Sequence, residues 1–162
     1  GFTQDWVFPF EWKNPDGYSF FMNLEPLSLV KTNYFGDSIG FWNDIVNHPN
    51  YDAFWQDRNI IPHLKNVKPA VMIVGGWYDA EDLYGTFHTY QSIEKNNPGT
   101  KNTIIIGPWI HGGWARTDGS YLGNVSFDSK TSIYYRDSIE LPFFNYYLKV
   151  KGTLNLHEAT ML

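Results

Sequence analysis

The sequence predicts an α/β fold built on a parallel sheet, and three observations carry that expectation. Two short apolar runs, Ala70-Val71-Met72-Ile73-Val74 and Thr103-Ile104-Ile105-Ile106, end in Gly75-Gly76 and in Gly107-Pro108. Uniformly apolar runs of that length match strands buried on both faces of a parallel sheet. Between them Leu83, Phe87, Tyr90 and Ile93 fall near the spacing of one helical face, which predicts a helix from Leu83 to Glu94. A strand, a helix and a second strand in that order make a right-handed βαβ unit the natural topology.

Ahead of this unit the texture differs. Trp6-Val7-Phe8-Pro9-Phe10-Glu11-Trp12 and Tyr18-Ser19-Phe20-Phe21-Met22 are aromatic, and Pro15-Asp16-Gly17 interrupts them as a turn signal. Neither period is cleanly expressed, so irregular structure and short helices are expected. Ile39, Trp42, Ile45 and Val46 sit at helical spacing until Pro49 ends the pattern. A second helix starts near Asn50, with Tyr51, Phe54 and Trp55 on one face. Residues 1–62 thus read as a helical layer. After the βαβ unit, Asn96-Asn97-Pro98-Gly99 having stopped its helix, a Gly-rich loop is expected from Gly112 to Ser129. Ser132 to Val150 is helix-like, with Pro142 kinking or dividing it, and another strand can begin beyond Leu154.

Composition narrows the function classes. The 162 residues carry 12 Lys+Arg against 17 Asp+Glu, a net charge of −5, with the basic residues scattered. That balance argues against nucleic acid and anionic membrane as partners. There is no cysteine, which excludes disulfide frameworks and thiolate metal sites and leaves the redox compartment open. No apolar stretch approaches the roughly 18 residues needed to span a bilayer, and Gly1-Phe2-Thr3-Gln4-Asp5 carries no signal-peptide pattern. The aromatic share of 19% fits a dense core first, and a ligand cleft or domain interface second.

Chemistry concentrates just past the two strands, where open α/β sheets gather functional groups. Gly76-Trp77-Tyr78-Asp79-Ala80-Glu81-Asp82 follows one, and Gly107-Pro108-Trp109-Ile110-His111 the other. A carboxylate at Asp79 can accept the Nδ1 proton of His111, fix its tautomer and stabilise the imidazolium formed when the base takes a proton from a serine. The competing account makes Asp79 an ordinary N-cap with an acidic residue three on, here Asp82. Three carboxylates within four residues exceed what a cap requires, and the surplus points to a cation site. A metal site from Asp79, Glu81 and His111 ranks low, because His-x-x-x-His spacing is absent, and no cofactor is called for. His88, inside the helix, reads as packed or solvated.

In combination with His48-Pro49-Asn50-Tyr51-Asp52-Ala53-Phe54-Trp55 and the Leu141-Pro142-Phe143-Phe144 segment before Tyr147-Leu148-Lys149, these motifs resemble the Xaa-Pro dipeptidyl-peptidase S15 group. That group includes the cocaine esterase-like hydrolases and the α-amino acid ester hydrolases, often labelled glutaryl-7-aminocephalosporanic acid acylases. The resemblance runs from about Phe41 onward. It implies that residues 1–62 are a helical cap segment and 63–162 the carboxyl-terminal part of an α/β-hydrolase catalytic domain. It makes Asp79 the triad acid and His111 the base. Trp-Tyr-Asp-Ala-Glu-Asp is most similar to the α-amino acid ester hydrolases, which implies that Glu81 and Asp82 hold a substrate α-ammonium group. A desolvated ammonium needs such paired carboxylates.

The implied substrates are small esters, amides or short peptides: α-amino acid esters, β-lactam side chains or Xaa-Pro dipeptides. The nucleophilic serine, the oxyanion hole and a following β-rich domain are expected elsewhere in the same protein, and the isolated chain is expected to be inactive. The resemblance is compatible with an exported, periplasmic or secreted protein. Gly36-Asp37-Ser38-Ile39-Gly40 matches a G-x-S-x-G elbow in order, but no buried strand precedes it; Ser38 reads as a turn or N-cap residue. The rival to a hydrolase is a non-catalytic binding module, or a degenerate hydrolase, with an aromatic and acidic cleft.

Overall fold

The computed structural model describes residues 15–162; the aromatic run Trp6 to Trp12 and the amino-terminal pentapeptide lie outside them. The chain forms two compact units, Gly1–Asn59 and Ile60–Leu162.

The described part of the first unit is helical. Helix α1 (Gly17–Asn23) starts at Asp16, whose carboxylate accepts the N–H groups of Tyr18 and Ser19, so Pro15-Asp16-Gly17 is a helix start as much as a turn. A 3₁₀ turn (Leu27–Leu29) and a π turn (Lys31–Phe35) lead to α2 (Gly40–Asn47) and α3 (Ala53–Gln56). Edge-on aromatic contacts hold the unit, among them Phe20 with Tyr34 at 5.5 Å and Phe35 with Trp42 at 5.5 Å. Ser38 is a turn residue and not an N-cap: its N–H and hydroxyl both donate to the Phe35 carbonyl, and Ile39 precedes α2 with no side-chain cap. A π turn, not a strand, comes before it, so the elbow match has no elbow geometry.

The second unit carries the sheet. After a 3₁₀ turn (Ile61–His63), β1 (Val71–Gly76) is followed by α4 (Leu83–Asn96) and β2 (Asn102–Gly107). The strands pair in parallel, Val71 opposite Asn102 through Gly76 opposite Gly107. A last strand, β5 (Ala159–Met161), joins the other side of β2, giving the order β1-β2-β5. β2 is buried throughout, as a central strand should be. β1 departs from expectation: Val71 to Val74 are half-buried, because among the described residues only β2 flanks it.

The stop after α4 is an anchor. Asn97 Oδ1 accepts the Val67 N–H at 2.8 Å, and its Nδ2 donates to the carbonyls of Leu64 and Ile93 at 2.9 and 3.0 Å. This straps the entry segment to the helix end. The expected loop from Gly112 to Ser129 contains a one-turn helix α5 (Gly113–Arg116) and a small hairpin, β3 (Tyr121–Leu122) with β4 (Val125–Ser126). The following helix runs as α6 (Thr131–Tyr135), a π turn (Arg136–Glu140) and α7 (Leu141–Lys149). Pro142 cannot donate to the carbonyl four residues back, and the wider turn ahead of it absorbs the missing bond. β5 (Ala159–Met161) then pairs in parallel with Ile104 to Ile106. The core is Ile105, Trp109, Tyr135 and Ile139, with Met72, Val74, Trp114, Leu156 and Leu162 packed on it.

Candidate active site

Because Gly76 stands opposite Gly107, the two motifs leave the sheet side by side. Trp77 N–H donates to the Gly107 carbonyl at 2.9 Å, Tyr78 N–H to the Trp109 carbonyl at 3.0 Å, and Asp79 N–H back to the Gly76 carbonyl at 3.1 Å. This backbone clamp requires both glycines. A Cβ on Gly76 would lie 2.1 Å from the Trp109 carbonyl oxygen, and one on Gly107 2.5 Å from the Trp109 indole. Gly112, with φ of +68°, turns the chain immediately after His111, a left-handed conformation suited to glycine.

The clamp brings Asp79 Oδ2 to 3.0 Å from His111 Nδ1, across 32 residues of sequence. The Asp79 side chain is 2% exposed and the imidazole 42%. Asp79 Oδ1 accepts the N–H groups of Glu81 and Asp82 at 2.8 and 3.0 Å. One oxygen therefore holds the turn ahead of α4 and the other faces the histidine; the N-cap position of α4 is Asp82, so Asp79 is not the helix cap the spacing offered. Burial pushes its pKa up, but the two N–H donors and the imidazole outweigh it and hold the carboxyl below its ordinary value. An ionised carboxylate on Nδ1 favours the tautomer with its proton there, which leaves Nε2 as the acceptor.

Glu81 reaches the open side of this pair, and no contact among the described residues brings the Asp82 carboxylate to it. Glu81 is 74% exposed, with Oε2 4.0 Å from His111 Nε2. Asp82 immediately precedes α4 without capping it; its Oδ1 occupies the space beside Gly85, 2.6 Å from where a Cβ there would sit. Trp77, Tyr78 and Tyr84 are exposed around them. Among the described residues no three His, Asp or Glu side chains converge as a metal site would require. His88 is engaged within its own helix: Nδ1 faces the Tyr84 carbonyl at 2.9 Å, and the ring stacks on Tyr84 at 3.6 Å.

Sequence reasoning missed the side chains that hold the histidine-bearing segment. Trp109, 2% exposed, donates its indole N–H to Thr131 Oγ1 at 2.9 Å. Ser132 Oγ donates to the Gly113 carbonyl at 3.3 Å, and Arg136 Nη1 to the carbonyls of Trp114 and Thr117 at 2.6 and 3.0 Å. The sequence signal was a Thr-Ser pair opening a helix, where hydroxyls commonly serve backbone groups.

A parallel sheet with an acid and a histidine past adjacent strands fits an α/β-hydrolase fold. The family model for X-Pro dipeptidyl-peptidase (S15 family) matches residues 9–113, more than half of the chain, and the chain belongs to that family. The match begins ahead of Phe41 and ends before the Leu141–Lys149 segment. Cocaine esterase of Rhodococcus sp. (strain MB1 Bresler) is 26% identical over 69 residues, 43% of this chain and 11% of that protein. An α-amino acid ester hydrolase structure superposes with a TM-score of 0.81 at 26% identity, covering 94% of this chain and 25% of that one. The aminopeptidase from the marine sediment archaeon Thaumarchaeota archaeon matches with a TM-score of 0.72 at 34% identity, over 77% of this chain and 21% of that one. The chain thus spans a quarter or less of the relatives it matches.

Proposed function

We propose that this chain supplies the acid and base of a serine-hydrolase triad in an S15-type protein that cleaves esters or amides. The observation that carries the reading is the Asp79–His111 contact, a 3.0 Å hydrogen bond accepted by a carboxylate whose side chain is 2% exposed. His111 Nε2 takes the proton of a serine hydroxyl as that oxygen attacks the substrate carbonyl, then gives it to the departing alcohol or amine. Water repeats the sequence on the acyl-enzyme: His111 takes its proton, hydroxide oxygen joins the acyl carbon, and the proton returns to serine. The serine lies outside these 162 residues, since Ser38 has no strand behind it, and the chain alone is inactive. The exposed carboxylates of Glu81 and Asp82 receive a positively charged α-amino group on the substrate.

The test labels the native protein containing this sequence with a serine-directed fluorophosphonate. Label on that polypeptide, and its loss in His111→Ala, is the expected result; full labelling and turnover without His111 would remove it from the mechanism. Glu81→Gln with Asp82→Asn is expected to weaken α-amino esters far more than acetyl esters. Equal losses on both would refute the ammonium site.

A further inference from the structure

We propose that Thr131 is a positioning residue for the base, an inference that rests on the reading of His111 given above. The Thr131 hydroxyl stands between two groups: Oγ1 accepts the Trp109 indole N–H at 2.9 Å and donates to the Gly119 carbonyl at 2.8 Å. Trp109 is two residues before His111, and its carbonyl accepts the Tyr78 N–H at 3.0 Å in the clamp that seats Asp79. The indole is thus the lever arm of the His111 segment, and Thr131 fixes its far end.

The surroundings are shaped for this contact. Gly119 has φ of +76°, and a Cβ on it would lie 2.5 Å from Thr131 Oγ1 and 2.4 Å from the Ser132 backbone nitrogen. Only a glycine lets the loop come down onto the hydroxyl. Ser132, fully buried, donates to Gly113, so the first turn of α6 grips the segment on both sides of His111. Valine in place of Thr131 keeps the shape and removes both hydrogen bonds. The indole N–H and the Gly119 carbonyl are then buried without partners, and the ring moves to find one. A shift of about 1 Å in a catalytic group costs roughly a hundredfold in rate.

The experiment compares Thr131→Val and Thr131→Ser in the native protein, with p-nitrophenyl acetate as substrate and thermal melting in parallel. The expected result for Val is a kcat lower by about 10- to 100-fold, with KM unchanged and a cooperative melt retained. Serine keeps both hydrogen bonds and is expected to hold kcat within about threefold. A wild-type kcat in Thr131→Val, an equal loss in Thr131→Ser, or a Val variant that no longer melts cooperatively would each overturn the proposal; the last would assign the hydroxyl to stability. His111→Ala is the control. If it stays active, the triad reading fails; if it is dead while Thr131→Val is unimpaired, only the positioning role fails.

Discussion

His48 Nδ1 lies 2.8 Å from Asp52 Oδ2, and His111 Nδ1 lies 3.0 Å from Asp79 Oδ2, yet the two pairs are made in different ways. In each, the second carboxylate oxygen accepts N–H groups where a helix begins: Phe54 for Asp52, Glu81 and Asp82 for Asp79. In each, the carboxyl is held below its usual range, the His48 hydrogen bond being the largest cause for Asp52. The imidazoles are similarly exposed, 34% and 42%, but the carboxylates are 43% and 2% exposed. His48 and Asp52 are four residues apart and need only one turn of chain, locked by the Trp55 indole on the His48 carbonyl at 2.6 Å. Asp79 and His111 meet only if two strands pair in one register. Proximity of His to Asp is cheap locally; what sets the second pair apart is a buried carboxylate delivered by the sheet to an open imidazole edge.

The largest expected difference is in turnover. Asp79→Asn is expected to lower kcat of the native protein by about 10⁴-fold, the scale of losing the carboxylate behind a triad histidine. Asp52→Asn is expected to leave kcat within about threefold, as an exposed change does. Similar losses from both would dissolve the distinction. Next comes Gly76→Ala, whose Cβ would strike the Trp109 carbonyl oxygen at 2.1 Å. The backbone there must move, with about 1–3 kcal/mol of destabilisation expected and a kcat loss of about a hundredfold. Gly75→Ala meets the Thr86 side chain at 2.8 Å, and is expected to lower the melting temperature while sparing kcat.

A smaller effect separates the pairs by pH. Both carboxyls have folded-state values below the ordinary one, so their stabilisation is fully present above the unfolded value of about 3.9 and is lost as pH falls through the lower folded value. Melting temperature is expected to fall over that acidic window. Either Asn variant is expected to flatten the fall, with lower stability than wild type at neutral pH. Identical pH profiles in wild type and both variants would contradict the depressed values.

The βαβ unit was legible because its signals are local: apolar runs closed by glycines, and a helical stripe ended at Asn96-Asn97-Pro98-Gly99. The adjacency of Asp79 and His111 followed from the same strands. That β2 alone flanks β1 among the described residues was not legible, since an apolar run does not say which neighbours flank it. Nor was the order inside 112–129. There Asp118 Oδ1 takes the Ser120 N–H, and Ser126 Oγ bonds Asp128, side-chain contacts that periodicity does not register. Spacing offered Asp79 as a helix cap because it does not say where the helix starts: the carboxylate closes the turn ahead of α4 with one oxygen and faces His111 with the other. Thr131 escaped notice because its partners lie 22 and 12 residues away.

The smallest expected effect concerns Arg58. Its guanidinium carbon sits 3.4 Å from the centre of the Phe54 ring, and that ring stacks on His48 at 4.3 Å with a 4° tilt. Arg58 Nη1 also donates to the Phe54 carbonyl at 2.8 Å. An exposed cation over a half-buried ring contributes about 0.5–1 kcal/mol, so Arg58→Ala is expected to lower stability by that amount in a denaturant melt. If the His48–Asp52 pair only organises its own turn, kcat is expected to stay at the wild-type value while the melt shifts. A kcat loss in Arg58→Ala at unchanged stability would instead tie the local pair to turnover, and local geometry could no longer be set apart from the machinery the sheet assembles.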